Sequence, residues 1–547
     1  MKTRGALYSI LLFVLCWVAL VLLHWPLLRL PYFWDEAGYY IPAARDILLT
    51  GSLIPTSTLS NAHPPLLLAY LALAWKVFGY TPLVTRCAML LVSAFCLLGV
   101  FRLARRVANT EVAIGSVAAL ALYPVYFAQS SLAHMDLGAA AFILWGLESY
   151  IAQRRAPAIA FFAAACLTKE TAVLAPLALL VWELLLLLPR LNAIVNRQSA
   201  LGNVVPIIRS SDVQISRSPD IPFVRSLALL LSAIPLALWF AFHYTRTGHV
   251  FGNPEFFRYN LGDTLHPVRV LAALVLRLWH LFGYMNMALL IAATLLAMTL
   301  PPLSAQIKNQ KSEIKNGVRP RISIPTQLVF YVLILAHILA FSVLGGAVLA
   351  RYLLPIYPLV IILGVSTMRR RLPWWPAYLA IVCLAFLIAL LTEPPYRFAP
   401  EDNLAYSDYI RLHQSADRFV ARHFPNSTVL TAWPASDELT RPWLGYVEKP
   451  VRILRIENFS VEQVLSAADV RGQYQVALLF STKEEPRLLF DFRWWERLQA
   501  RYFGYHRDLR PMDAAQLLGG RVVFEQRRGA QWVGVISLET IENASLK

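Results

Sequence analysis

Apolar runs close to the length of a membrane crossing recur from the N-terminus to about residue 392. Roughly 20 predominantly apolar residues are what an α-helix needs to cross a bilayer. The first run, about 7–28, exceeds a signal peptide's apolar core and lacks a small-residue cleavage site, so it reads as a retained helix. Further spans are predicted at about 83–101, 111–128, 136–152, 157–168, 171–188, 225–243, 284–300, 326–345, 352–368 and 373–391. The stretch 64–79, "PPLLLAYLALAWKVFG", is only 16 residues long and opens on two prolines; it reads as an amphipathic segment along the outer interface. Beyond 392 the pattern changes. Short β-rich runs ("STVLTAW", "YQVALLF", "GRVVFEQ", "QWVGVISL") alternate with amphipathic helical stretches such as 404–423 and 491–503, as in an α/β unit of about 150 residues. The predicted architecture is a polytopic α-helical membrane protein of about 11 spans, residues 1–392, followed by an α/β domain, residues 393–547.

Composition agrees with that class. The chain is 57% hydrophobic and 15% charged, with a mean hydropathy of +0.52, where a soluble protein carries about a quarter charged residues. Its net charge of +17 is unevenly placed. Residues 393–547 hold 20 of the 50 basic and 20 of the 33 acidic residues, so the whole excess lies in 1–392. A nucleic-acid binder would concentrate basic charge on its polar domain, and here that domain is balanced. The excess fits the positive-inside rule instead. With Lys2 and Arg4 inside, the span at 83–101 delivers Arg102, Arg105 and Arg106 to the same side, and the further inner loops are "QRRAP", 189–224 with Arg225 at its end, 301–325 and "RRR" at 369–371, which puts 20 Lys/Arg inside and 10 outside. Eleven spans then leave the C-terminal domain outside, as expected for a multi-pass protein of the cytoplasmic membrane with its N-terminus in the cytoplasm.

All five cysteines fall within predicted membrane helices, and there is no CxxC pair; buried free thiols are the reading, not a disulfide framework. The C-terminal domain holds no glycine-rich phosphate loop, metal-spacing cluster or triad, and reads as a recognition or scaffolding unit. Polar residues at membrane edges are costly and tend to serve function. Five groups stand out at predicted outer helix ends: Asp35 and Glu36 in "PYFWDEAGYY", His63 in "NAHPPLL", His134 and Asp136 in "SLAHMDL", Lys169 and Glu170 in "LTKET", and Arg351 and Tyr352 in "LARYLLPIYP". The long aromatic loop 244–268 adds Arg258, Tyr259 and His266 as candidate carrier or acceptor contacts, beside the simpler reading of a surface loop with interfacial aromatics.

Several of these stretches resemble the polytopic GT-C glycosyltransferases of the protein O-mannosyltransferase and lipid A aminoarabinose-transferase type: "FWDEAGYYIPAARDIL", "HPPLLLAYLALAWKVFG", the Asp136 loop, "LTKETAVLAPLALL" and "RYLLPIYPL". In order and spacing they cover roughly residues 7–370. The resemblance implies transfer of a sugar from a polyprenyl-phosphate carrier to an acceptor on the outer side of the membrane. It implies Asp35 as general base, with Lys169, Arg351, Tyr352, Arg258 and His63 as candidate contacts to the carrier phosphate. Asp136 then matches the second acid, with His134 beside it. From the residues alone, Asp35 reads equally well as a helix N-cap, and Glu36 stands between orienting a substrate and capping a helix dipole. Lys169 is also a candidate snorkelling side chain, and Arg351 and Tyr352 interfacial anchors. His63 departs from the aminoarabinose transferases, which carry lysine before the double proline. No cofactor is required by any motif, and a divalent metal held by some of Glu36, His63, His134 and Asp136 stays open, since no ligand spacing demands it. The expected partners are a lipid-phosphate sugar, a lipid, glycan or protein acceptor, and membrane lipids. A flippase for a lipid-linked sugar is the main alternative; it predicts polar groups near the bilayer midplane in related halves, and no internal repeat is seen.

Overall fold

Proline marks where many helices begin. In the computed structural model it occupies the first turn of the helices Pro82–Val107, Pro124–Ser131, Pro267–Phe282, Ile324–Val343, Tyr357–Arg371 and Trp375–Leu391, where its missing N–H costs nothing. The structure describes residues 2–188, 227–308, 314–486 and 492–538. The predicted inner loop 189–224 lies outside them, as do the first two residues of the span predicted at 225–243.

A helix stands at each of the eleven predicted segments, from Lys2–Leu23 to Trp375–Leu391. Four helices among the described residues are long and apolar enough to cross a membrane: Pro82–Val107, Ala228–Thr247, Pro267–Thr299 and Ile324–Val343. The pair Thr110–Leu122 and Pro124–Ser131, bent by 70°, has the length and composition of a broken span or a re-entrant loop. The sequence predicted one straight span at 111–128; Pro124 breaks it because the ring clashes with the preceding turn. The segment 267–282 overlaps the predicted loop 244–268 only at its first two residues. It is a helix, strongly two-faced, whose buried Arg269, Arg277 and His280 interrupt its apolar signal. The interfacial segment predicted at 64–79 forms the helix Leu66–Phe78.

Close helix approach depends on small residues. Met135–Ile151 packs on Pro82–Val107 and Arg155–Thr168, and a Cβ added at Gly146 would lie 2.7 Å from the Phe162 ring. Within the predicted inner loop 301–325, β1 (Ser304–Lys308) and β2 (Ile314–Val318) pair as an antiparallel hairpin.

The C-terminal region holds β3 (Thr428–Ala432), β4 (Arg452–Ile456), β5 (Val476–Phe480), β6 (Arg521–Arg528) and β7 (Gln531–Ser537) in the order β4-β3-β5-β7-β6. The β3/β4 and β3/β5 pairs are parallel, while β5/β7 and β6/β7 are antiparallel. Four of these strands are the predicted ones. β4 escaped notice because two arginines interrupt its apolar run, "RILRI".

This region sits on the first loop of the membrane part. Trp433 and Tyr409 meet Trp34 edge-on, each at 5.4 Å between ring centroids. Tyr446 donates its hydroxyl to the Tyr32 carbonyl at 2.8 Å. The short segment Pro400–Asp402 reaches back among the membrane helices: Gln129 donates to the Glu401 carbonyl at 3.1 Å, and Tyr284 to the Asp402 carboxylate at 2.7 Å.

Candidate active site

The loop ending at Trp34 is set by Glu36. Its side chain is fully buried and accepts hydrogen bonds from the backbone N–H of Phe33 at 2.8 Å and of Ala133 at 2.5 Å. Arg86, equally buried, grips the same carboxylate with two donors at 2.5 and 2.9 Å. The guanidinium also donates to the carbonyls of Pro31 and Ser131. One ion pair therefore joins loop 31–36, the helix Pro82–Val107 and the turn before Met135–Ile151. All of the lone-pair directions of Glu36 are thus used inside the protein.

Glu36 so placed directs its neighbour the other way. Asp35 precedes the π-helical turn Glu36–Tyr40 without a capping hydrogen bond, so the capping reading is not what the fold uses. Trp34 takes a φ of +40°, an unusual conformation for a bulky residue, just where the chain turns to present the acid. The Asp35 carboxylate pairs with the Arg351 guanidinium.

Arg351 is the hub. It is 2% exposed and sits in the turn Ala350–Leu353. Besides Asp35 it pairs with Glu401 at 2.9 Å and lies 3.5 Å from Asp136. His134 lies against the same guanidinium at 3.0 Å, with its Nδ1 also 2.8 Å from the side-chain amide oxygen Oε1 of Gln129. Burial, then the Arg351 cation, hold the His134 imidazole well below its usual range and so neutral. Asp136 takes Lys169 at 2.5 Å. The Lys169 ammonium lies over the Tyr352 ring, 4.4 Å from its centroid. The two cations expected to be open for phosphate are thus both held by carboxylates, because a buried charge is tolerated only when paired. Asp136, Lys169, Thr171, His337, Phe341 and Tyr352 line one narrow cleft.

His63 joins from the side. Its Nδ1 lies 3.1 Å from Glu170, and the Tyr40 ring stands between it and His134, at 5.7 and 5.8 Å. Among the described residues Glu36, His63, His134 and Asp136 do not converge as a ligand set: Glu36 is held by Arg86, His63 lies against Glu170, and His134 and Asp136 share Arg351. Arg258 stays away from the cluster, with its side chain 72% exposed and a loose pairing to Asp263 at 3.8 Å.

Three members were not foreseen. Glu401 belongs to "PEDN" just past the last span, an acidic pair at a helix end like the Asp35–Glu36 pair. Arg86 and Arg277 stand inside apolar runs, a charge placement that itself signals function or architecture. Arg277 is fully buried, donates to the carbonyls of Phe341 and Leu349, and lies 5.4 Å from the Tyr352 ring centroid.

Fold and cluster together define a class: a multi-pass helical membrane protein with a buried cluster of paired charges beside its first loop. The family described as dolichyl-phosphate-mannose-protein mannosyltransferase matches over residues 62–209. The crystal structure of ArnT from Cupriavidus metallidurans in the apo state is similar over 98% of both chains, with a TM-score of 0.52 and 15% identity. ArnT from the same organism bound to undecaprenyl phosphate matches over the same shares at a TM-score of 0.49 and 14% identity. Comparison with curated protein sequences finds no match. The resemblance carried by the sequence motifs is therefore met from two sides, one within the first half of the chain and one along its whole fold.

Proposed function

We propose that this chain is an integral-membrane glycosyltransferase that moves a sugar from a polyprenyl-phosphate carrier to an acceptor hydroxyl on the outer side of the cytoplasmic membrane, with Asp35 as general base. The observation that carries the reading is the convergence of Asp35, Asp136 and Glu401 on one buried arginine from three separate parts of the chain. The description of the matching family, whose donor is a lipid-phosphate mannose, supports the substrate class.

Of the three acids, only Asp35 is open to a substrate. Its side chain is 21% exposed, against 4% for Asp136 and 6% for Glu401. Asp35 takes the proton of the acceptor hydroxyl as that oxygen attacks the anomeric carbon. The bond from that carbon to the phosphate oxygen breaks, and the phosphate leaves with the electron pair. A single displacement of this kind inverts the anomeric centre. No acid has to protonate a phosphate leaving group, which separates this site from hydrolases with paired carboxylates. Arg351 orients Asp35, and Glu36 with Arg86 fixes the loop that carries it. Lys169 stands at the cleft to meet the charge that grows on the phosphate, exchanging Asp136 for it. The membrane part, 1–392, and the outer unit, 393–547, then share the site, since Glu401 comes from the second.

The test uses membranes supplied with labelled polyprenyl-phosphate sugars. Asp35→Asn should lower transfer by about 10²- to 10⁴-fold with the protein still inserted and folded. Transfer at the parent rate would overturn Asp35 as base, and carrier crossing the bilayer without transfer would overturn the enzyme reading in favour of a flippase.

A further inference from the structure

The C-terminal region encloses a second group of titratable side chains that the transfer reaction does not use. His413 and Asp417 lie four residues apart on one face of the helix Ala405–His423. Glu438 comes from the helix Ala435–Thr440. All three are 1% exposed or less. One ligand-type atom from each lies within 4.8 Å of the others, yet the group makes one internal bond, His413 Nδ1 to Glu438 at 2.6 Å. Both oxygens of Asp417, Oε1 of Glu438 and Nε2 of His413 have no hydrogen-bond partner. Tyr409, one turn before His413 and stacked on its ring at 3.9 Å, has an unpartnered buried hydroxyl as well. Among the described residues no lysine or arginine pairs with Asp417 or Glu438.

Two carboxylates and an imidazole shut away from water, with their polar atoms aimed at one another and unsatisfied, need a positive charge at their centre. We propose that His413, Asp417 and Glu438 bind one divalent cation of the zinc type. One imidazole nitrogen and two carboxylate oxygens are a donor set that suits zinc, and a hydroxyl or a water completes a tetrahedron. The ion has a structural role. It ties the helix Ala405–His423 to Ala435–Thr440, and both elements back the loop that presents Asp35: Tyr409 meets Phe33 at 5.2 Å and Trp34 at 5.4 Å, while Trp433 meets Trp34 at 5.4 Å.

The experiment is metal analysis of the full chain purified in detergent, stripped with a chelator and then titrated with Zn²⁺. The parent should take up about one equivalent per chain, and its thermal midpoint should fall on stripping and return on zinc addition. Asp417→Asn and His413→Gln, which keep side-chain shape, should take up none and should not respond to zinc. His63→Gln should keep the full equivalent, because that residue belongs to the other site. Zinc uptake by the stripped parent no greater than background would overturn the proposal whatever the variants do. So would uptake that persists in Asp417→Asn, or a thermal midpoint raised by Asp417→Asn, since either would make the cluster a proton-sharing network.

Discussion

Asp35 and Glu36 are adjacent in the chain and meet opposite environments. Glu36 is spent on two backbone N–H groups and Arg86, whereas Asp35 keeps one partner, Arg351, and a path to solvent. A third acid, Glu401, tests how charge is balanced at the hub, where among the described residues Asp35, Asp136 and Glu401 pair with Arg351 and Lys169. Burial, with Asp35, Asp402 and Asp136 close by, pushes the Glu401 carboxyl up to about 8 against the pull of Arg351. The folded chain then holds a proton there that the unfolded chain releases near the ordinary Glu value of about 4.3. Stability from this group is present below that value and is lost as pH rises toward 8. Glu401→Gln, which imitates the neutral form, should flatten the fall of the thermal midpoint between about pH 5 and 8. A slope equal to the parent's would show that Arg351 keeps Glu401 ionised throughout.

The joining of elements rests on Arg86. The helix Pro82–Val107 carries it four residues in, and its guanidinium reaches loop 31–36 and the residues ahead of Met135–Ile151 at once. Arg86→Met would leave the Glu36 carboxylate buried without a counter-charge, a defect of about 3–5 kcal/mol. Unfolding in mixed micelles should register that loss, and adding Glu36→Met to it should recover part of the stability, because no stranded charge remains although the Phe33 and Ala133 N–H groups lose their acceptor. A double variant as unstable as the single one would point to lost packing instead. Transfer should fall in both, since the loop presenting Asp35 loses its anchor.

The whole molecule places the C-terminal sheet region over that loop, with aromatic contacts at Trp34 and a polar insertion at Glu401 and Asp402. The proposed topology puts this region outside and the 301–325 loop inside. A chain with its five cysteines replaced and a single new one at Gly472, where a side chain has open space, should react with an impermeant maleimide on intact spheroplasts. The same label at exposed Arg321 should need permeabilised membranes. Equal labelling of both positions before permeabilisation would overturn the topology.

Much of this was legible from the chain because it depends on local pattern. Hydrophobic run length and proline position located the helices, and alternation in "YQVALLF" and "QWVGVISL" located the central strands β5 and β7. The candidate acids and cations announced themselves as charges at the edges of apolar runs. Who pairs with whom was not legible, because ion pairs form between residues far apart in sequence: Glu36 with Arg86, Asp136 with Lys169, Arg351 with Asp35 and Glu401. Those pairings bury Glu36 against Arg86 and leave the Arg258 side chain exposed. They also brought in Glu401, which the sequence assigns to a separate region. The sequence by itself determined the membrane architecture and the inventory of charges, since both follow from the cost of polar groups in apolar surroundings. Only the tertiary structure decided which acid keeps an exposed edge, Asp35 rather than Asp136 or Glu401, because burial and charge pairing are set by packing across the whole chain.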